Sequence, residues 1–440
     1  MKREKISSRI GFIMMSAGCA IGCGNVWKFP WMVGQNGGGA FVLIYAVCLL
    51  ILGLPIMTME FAMGRAAQAS PVKMYTVLTP TKKPWHLHGY FALLGNICLM
   101  AFYTTVTGWM IYYFVSFLTG ASQNLGFSQM ISRPGLNVGY MLVAVVLTFF
   151  VLTFNLQNGL EKVTKIMLSA LLLLMIILAI KSVTLPGSAE GYRFYLVPDI
   201  SSITPNVIVA AMNQAFFTLS IGIGALAIFG SYIDKSRSLM GESLSVILLD
   251  SFVAIVAGLI IFPSCSSFDL EVTAGPSLLF DTMATVFQNM KGGRIWGTLF
   301  FLFMVFAAFS TVLAVCENIL ACVRELTGWS RKKGCLICGI FIALLSLTTA
   351  LGFSVIDFHP FGEGTFFLDF WDYIVSTNLL PLGALIFNLY CVNSRLGWGW
   401  DSFVKEANTG TGLKVQGWML PIFTYLVPVC IIIIYIMGII

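Results

Sequence analysis

The chain has 440 residues, of which 58% are hydrophobic and only 10% are charged, and its mean hydropathy is +0.90. A soluble domain usually carries about 25% charged residues. The composition therefore excludes a mainly soluble protein and indicates a polytopic protein embedded in a lipid bilayer. The formal net charge of +6 is best interpreted by asking on which side of the membrane each Lys and Arg residue lies. We expect no nucleic-acid partner.

Eleven apolar runs are each long enough to cross a bilayer as a helix, which takes about 20 residues. They are residues 10–33, 39–63, 89–118, 137–155, 161–181, 205–231, 243–264, 294–324, 335–355, 366–392 and 418–438. With the N-terminus inside, 19 of the 25 Lys and Arg residues fall in inside segments and 5 in outside segments. This asymmetry predicts an inside N-terminus, and eleven spans then place the C-terminus outside. We expect an all-α protein of a plasma or inner cell membrane.

The first span contains a stretch that is poorly suited to a continuous helix. Gly18, Gly22 and Gly24 precede the polar residues Asn25 and Lys28, and each glycine costs about 1 kcal/mol of helix stability relative to alanine. Non-helical backbone survives at membrane depth only where it is buried in protein or lines a polar cavity. The stretch predicts a broken helix that serves a polar ligand; the alternative is that the glycines only allow close helix packing.

The sixth span has a second interruption, because residues 213–224 again mix polar side chains with glycines. Breaks in spans one and six predict two five-helix units, residues 1–181 and 205–392. Since five is odd, the second unit enters the membrane from the opposite side and forms an inverted repeat, with the binding site where the breaks meet. The span at 418–438 is an additional eleventh helix outside this repeat.

Ionisable side chains within spans are costly, so each is a candidate functional group, although a structural ion pair or a span end is the alternative for any one of them. They are Lys28, Glu60, Asp250, Glu317, Asp369 and Asp372. We found no span with a metal-ligand pair or with a nucleophile and base, and we therefore do not expect an enzyme.

Several motifs resemble the neurotransmitter:sodium symporter family, in particular its short bacterial amino-acid transporters with eleven helices. These motifs are residues 18–30, 36–41, 53–65, 102–103, 108–109, 214–220 and 306–311. The match runs through nearly the whole chain in order. It implies a sodium-coupled importer that works by alternating access.

The resemblance implies two sodium sites, and sodium prefers the oxygen ligands that an unwound helix exposes. The first-sodium set is the carbonyl of Ala20 with Asn25, Thr218 and Asp250, to which the substrate often adds its carboxylate. The second-sodium set is the carbonyls of Gly18, Ile21 and Ala307 with the hydroxyls of Ser310 and Thr311. The alternative for the last two residues is that they only pack the eighth span against the first.

The substrate site implied by the resemblance begins at Cys23 and Gly24, where the amides of the outer half of helix 1 face the cavity and suit a carboxylate. Tyr103 would bond the same carboxylate. The substrate amine would meet the carbonyls of Ala20, Phe217, Thr218 and Ser220.

Monoamine-transporting relatives carry an acid where this chain has Gly22, so we expect a substrate with its own carboxylate, an amino acid. Its side chain would lie among Leu99, Tyr103, Phe217, Ile223, Val312 and Val315. This apolar lining favours a hydrophobic or aromatic amino acid.

Gates and ions complete the implied transporter. Lys28 would pair through water with Asp369 at the outer gate, with Asp372 as the competing partner and Phe217 as a lid. Arg3, Glu325 and Tyr232 resemble the inner gate.

The chloride requirement of some relatives depends on an anion near the first sodium. Tyr45, Gln214 and Thr218 match that chloride neighbourhood, but Ala254 replaces its serine, and Asp250 already supplies a negative charge. We therefore expect sodium dependence without chloride dependence. Proton coupling, a monoamine substrate and a substrate-sensing receptor or channel remain the alternatives, and the sequence carries no prediction of oligomeric state.

Overall fold

The computed structural model describes residues 4–81, 83–122, 126–272 and 275–439. Within these ranges the chain is helical, with isolated bridges and no strand. The first ten α-helices are α1 (Arg9–Ala20), α2 (Phe29–Gln35), α3 (Gly39–Cys48), α4 (Leu54–Ala67), α5 (Pro71–Leu78), α6 (His86–Thr119), α7 (Phe127–Ile131), α8 (Pro134–Leu152), α9 (Lys162–Val183) and α10 (Ser188–Leu196). The second ten are α11 (Pro205–Leu219), α12 (Ala225–Gly230), α13 (Leu239–Ser267), α14 (Ala284–Asn289), α15 (Gly293–Thr327), α16 (Arg331–Leu351), α17 (Phe367–Asp372), α18 (Leu380–Val392), α19 (Trp400–Ala407) and α20 (Val427–Ile439).

Shorter helical segments of other geometry join or extend these helices. The π-helical segments are Gly24–Lys28, Leu49–Gly53, Gln157–Glu161, Leu278–Met283, Tyr373–Leu379 and Ile422–Leu426, and the 3-10 segments are Lys83–Trp85, Ile200–Ser202 and Gly417–Met419. Several helices begin where the sequence supplies a start signal. Proline stands at the first position of α8 and α11, and the Ser8 hydroxyl accepts the Gly11 amide at the start of α1, as expected for helix N-termini.

Nine helical segments of the described chain are long and apolar enough to cross a membrane. The bent pair Arg9–Ala20 and Gly24–Gln35 makes a tenth if it is counted as one span. The predicted sixth span, 205–231, is divided between α11 and the short α12. The predicted span 335–355 begins four residues early, at Arg331, because the helix continues through the charged residues that reach the membrane surface. The inverted repeat and the sidedness of the termini stay predictions.

Two long helices occupy the centre of the fold. The apolar windows of α6 and α15 are each 78% buried, whereas the window that includes α20 is 28% buried. The two central helices pack directly against each other, and most of the other long helices surround them. A site built on α6 and α15 is therefore held by the most enclosed part of the protein.

Both predicted helix breaks are present. The first follows α1, where Ile21 adopts an extended conformation (φ −70°, ψ 104°), and the chain bends by 55° before α2. The second follows α11, where Ser220 and Gly222 have φ values of +51° and +101°. A methyl group at Gly222 would also overlap the Leu380 carbonyl, so this break requires glycine in two ways.

Candidate substrate and ion site

The two helix breaks lie against each other in the middle of the fold. The Gln214 side-chain amide donates a 2.7 Å hydrogen bond to the Gly24 carbonyl, and the Ser220 hydroxyl lies 3.4 Å from the Cys19 carbonyl. The Cys19 oxygen is one that a continuous helix would have paired internally, and the Gly24 oxygen also accepts the Phe29 amide. The breaks therefore create a shared polar region inside an apolar protein.

The second-sodium set comes together where the first break meets α15. The Thr311 hydroxyl lies 3.2 Å from the Gly18 carbonyl and 3.1 Å from the Ile21 carbonyl. The Ser310 hydroxyl lies 3.4 Å from the Ile21 carbonyl and 2.9 Å from the Ala307 carbonyl. These five oxygens can turn their lone pairs toward one small cation once the hydroxyl protons rotate away. The arrangement is chemically suited to a hard, oxygen-seeking ion.

The side chains of the first-sodium set form a second, fully buried cluster. The Asn25 amide donates to the Asp250 carboxylate at 2.8 Å and to its carbonyl at 3.1 Å, while the Thr218 hydroxyl lies 3.4 Å from the same carboxylate. Ala20, the remaining member, is the last residue of α1 and is buried. A buried carboxylate surrounded by neutral groups favours a cation beside it.

The two groups predicted to bind a substrate carboxylate, the Cys23 amide and the Tyr103 hydroxyl, meet where the first break contacts α6. The Cys23 amide donates a 2.7 Å hydrogen bond to the Tyr103 hydroxyl, whose own proton can be donated to a carboxylate. A methyl group at Gly22 would overlap both the Tyr103 hydroxyl and the Thr311 hydroxyl. Position 22 therefore has no room for the acidic side chain that monoamine-transporting relatives carry. Gly24 is also tightly packed, because a methyl group added there would contact the Phe217 ring.

A cavity of about 140 Å³ opens beside this place, and Cys23, Phe102, Tyr103, Val106 and Phe217 line it together with the outer-gate residues. The described walls include two of the six side chains expected around the substrate. The other four, Leu99, Ile223, Val312 and Val315, are buried and do not line the cavity. Lys28 and Phe217 both line the cavity, so it extends to the predicted outer gate.

The outer gate differs from the expected pair. The Lys28 amine lies 3.8 Å from the Asp372 carboxylate and 3.8 Å from the centre of the Phe217 ring. Asp369, the expected partner, accepts the Phe366 amide at 2.7 Å just before α17 begins. The direct partner is therefore Asp372, because the Asp369 carboxylate caps its own helix. A water-mediated contact between Lys28 and Asp369 stays a prediction.

Tyr232, which the resemblance places at the inner gate, belongs to a hydrogen-bonded network whose other members were not expected there. The Tyr232 hydroxyl donates to Glu317 at 3.0 Å, and Arg331 pairs with the same carboxylate through both terminal nitrogens, at 2.5 and 3.1 Å. Arg331 also lies 3.8 Å from Glu4 in the N-terminal segment.

Glu325, the other expected inner-gate residue, accepts both the amide and the hydroxyl of Ser70. Arg3 lies outside the described residues, so its pairing with Glu325 stays a prediction.

Two contacts around the second break were not anticipated. The Glu60 carboxylate accepts the Gly222 amide at 2.6 Å, and the Asn96 amide donates to the Ile223 carbonyl at 2.7 Å. Glu60 and Glu317 had been singled out as ionisable residues within spans but had no role. Asn96 had a usable signal, since it is a polar residue in an apolar stretch of α6.

Comparisons with known proteins show which family this chain matches. Residues 3–123 and 120–440 match the family described as "SNF: Sodium:neurotransmitter symporter family". The chain is 35% identical over 392 residues to YhdH, an uncharacterized sodium-dependent transporter of Bacillus subtilis (strain 168), covering 87% of this chain and 86% of the relative. An uncharacterized sodium-dependent transporter of Haemophilus influenzae is 32% identical over 406 residues, covering 87% and 88% of the two chains.

A solved structure is similar over the same length. The crystal structure of MhsT in complex with L-phenylalanine superimposes with a TM-score of 0.89 at 33% sequence identity. The match covers 99% of this chain and 100% of that chain.

Proposed function

The chain belongs to the sodium:neurotransmitter symporter family, and from this premise we propose that it imports a hydrophobic or aromatic amino acid together with sodium. The observation that carries the proposal is the meeting of two helix breaks beside two groups of oxygen atoms. The family establishes a multi-pass, sodium-dependent transporter. The amino-acid substrate, the two ion sites and their residues are the parts that we propose.

The substrate carboxylate binds at the Cys23 amide and the Tyr103 hydroxyl, where it replaces their mutual hydrogen bond. The substrate amine binds the carbonyls of Ala20, Phe217, Thr218 and Ser220. The absence of space at Gly22 supports this arrangement, because an acid that would bind the amine of a monoamine has no room there. The solved relative MhsT, which was crystallised with L-phenylalanine, supports an amino acid with an apolar side chain.

Sodium binds at both oxygen sets. In the second-sodium set, the ion takes the place of the hydrogen bonds that Ser310 and Thr311 make to the carbonyls of the first break. In the first-sodium set, the ion binds beside Asp250 and shares the substrate carboxylate. Because sodium and substrate then stabilise the same closed arrangement, each should tighten the binding of the other.

Chloride is not required. The Asp250 carboxylate is fully buried and is held by the amide of Asn25, so a fixed negative charge already lies beside the first cation. Ala254, one turn further along α13, supplies no hydroxyl for an anion. Gln214, which chloride-dependent relatives place near the anion, instead bonds the Gly24 carbonyl.

Transport follows alternating access between two five-helix units, residues 1–181 and 205–392, with 418–438 as an additional helix and the N-terminus inside. Lys28, Asp372 and Phe217 close the outer side. Tyr232, Glu317 and Arg331 close the inner side, with Glu325 and Arg3 as further gate residues. Loss of sodium to the cytoplasm releases α1 and opens the inner side.

The test is uptake of each of the twenty amino acids into vesicles containing the purified protein, with an imposed inward sodium gradient. We expect concentrative uptake of apolar amino acids that stops when choline replaces sodium. Uptake driven by a proton gradient alone would contradict sodium coupling. Competition by an amine without a carboxylate would contradict the proposed substrate class, and binding without accumulation would indicate a receptor.

A further inference from the structure

A groove of about 450 Å³ runs along the exposed surface of the protein between α8 and α16. None of its lining residues belongs to the proposed transport site. Val146 and Phe150 form one wall and Leu336 and Ile340 the other, and these four side chains are between 54% and 65% exposed. Gly339 of α16 faces the Phe149 ring of α8 at close range. The groove is therefore a concave apolar surface that the described protein leaves uncovered.

The length of the groove matches one leaflet of a membrane. On α16 it extends from Lys332 to Ala343, which is about 16 Å at a helical rise of about 1.5 Å per residue. The hydrocarbon core of a bilayer is about 30 Å thick, so this distance is about half of it. An acyl chain that enters from one membrane surface would reach the end of the groove near the bilayer centre.

One end of the groove is polar and positively charged. Lys332, which is exposed, is the single charged residue among the described lining residues. The Lys333 amine next to it lies 5.1 Å from the centre of the Trp329 ring. Tryptophan and lysine at the end of a membrane-spanning helix are typical of the headgroup level. The charged end therefore lies where a lipid phosphate would be.

We propose that this groove is a binding site for an anionic phospholipid such as phosphatidylglycerol, with one acyl chain between α8 and α16 and the phosphate at Lys332. The apolar walls recognise the chain, and the lysine selects the anionic headgroup over a zwitterionic one. This complementarity of charge favours a lipid over a second copy of the chain, whose corresponding face would carry the same lysine.

The site has a direct connection to the inner closure. Immediately beside the groove, the Arg331 side chain donates a 2.6 Å hydrogen bond to the Leu152 carbonyl at the end of α8. The same arginine pairs with Glu317. A lipid bound in the groove would thus stabilise the packing of α8 on α16, the two helices that Arg331 connects.

The experiment is native mass spectrometry of the full-length protein, purified in detergent and supplied with equal amounts of phosphatidylglycerol and phosphatidylcholine. We expect the protein to retain phosphatidylglycerol preferentially. A basic residue near an anionic lipid is worth about 1 kcal/mol, so Lys332→Gln should lower its retention about fivefold. Lys405→Gln, at an exposed lysine of α19, is the matched control and should leave retention unchanged.

A second pair of variants tests the apolar part of the site. Val146→Trp fills the groove and should reduce retention of both lipids, whereas Ile166→Trp, at a similarly exposed position of α9 (62% against 64%), should not. Equal retention of the two lipids, or equal effects of Lys332→Gln and Lys405→Gln, would overturn the proposal. A dimer that Val146→Trp dissociates would assign the groove to a second copy instead.

Discussion

The Cys23 amide and the Tyr103 hydroxyl are joined by a 2.7 Å hydrogen bond, which links the break in the first span to α6, one of the two central helices of the fold. In the transporter that we propose, this is the contact that the substrate carboxylate replaces. The pair holds the amide and the hydroxyl in position before the substrate arrives, so little ordering is needed when it binds.

Tyr103→Phe should weaken amino-acid binding at least tenfold, because it removes a hydrogen bond to a charged group, worth about 1.5–3 kcal/mol. The measurement is equilibrium binding of labelled L-phenylalanine at saturating sodium. Tyr113→Phe is the matched control, since Tyr113 is also a buried tyrosine of α6 but packs among phenylalanines. If Tyr103→Phe left the affinity for L-phenylalanine unchanged, Tyr103 would not bind the substrate carboxylate.

Gly22→Ala should abolish measurable substrate binding while leaving a folded protein. The added methyl would overlap the Tyr103 and Thr311 hydroxyls, so it displaces the groups that hold the carboxylate and the second sodium. Thermal unfolding of the purified variant checks its folding. Gly126→Ala, where a methyl meets open space, serves as control. Normal uptake by Gly22→Ala would show that the geometry at the first break is not the binding geometry.

Thr311→Val should raise the sodium concentration needed for half-maximal uptake about tenfold, because loss of one oxygen ligand costs on the order of 1.4 kcal/mol. Valine keeps the shape of threonine but removes its hydroxyl, which lies 3.1–3.2 Å from two carbonyls of the first break. Thr349→Val is the control, because this buried threonine bonds the Ala101 carbonyl away from the site. The two variants should differ; equal sodium dependence would argue that Thr311 only packs helices together.

Replacing chloride with gluconate at constant sodium should leave the uptake rate unchanged. In the transporter that we propose, the buried Asp250 carboxylate supplies the negative charge that an anion would otherwise provide beside the first cation. Replacing sodium with choline in the same vesicles is the control and should stop uptake. A large fall in the uptake rate when gluconate replaces chloride would contradict the proposed chloride independence.

Asp372→Asn and Asp369→Ala should have separable effects. The first removes the ionic partner of Lys28 at the proposed outer gate; both side chains are partly exposed, so the change in equilibrium affinity should be small, and the effect should appear in the transport rate. The second removes the carboxylate that accepts the Phe366 amide at the start of α17 and should lower stability by about 1 kcal/mol. Uptake rates and thermal unfolding midpoints distinguish them, and a reversed pattern would restore Asp369 as the gate residue.

The helix breaks were predictable because their cause is local. Glycines and polar residues in an apolar span are visible in the sequence, and Gly222 and Gly224 do adopt positive φ values. The family motifs also brought together Ser310 and Thr311 with the carbonyls of Gly18 and Ile21. These features depend on residues near one another in the chain or on motifs with fixed roles.

Contacts between distant helices were less predictable. Asn96 reaches the Ile223 carbonyl across 127 positions, and the choice of Asp372 over Asp369 depends on which carboxylate caps α17. Four residues that were expected around the substrate, Leu99, Ile223, Val312 and Val315, do not line the cavity. The sequence could not show this, because an apolar residue in a span looks the same there whether it faces a ligand or packs in the core. In each case the outcome depends on how helices pack, which hydrophobic pattern alone leaves open.

The reciprocal coupling of sodium and substrate tests the central claim most directly. Labelled L-phenylalanine binding is measured over a range of sodium concentrations, and sodium binding is measured with and without L-phenylalanine. We expect the affinity for substrate to rise with sodium concentration, and the affinity for sodium to rise by the same factor when substrate is bound. Substrate affinity that is independent of sodium would contradict a shared site at the two helix breaks.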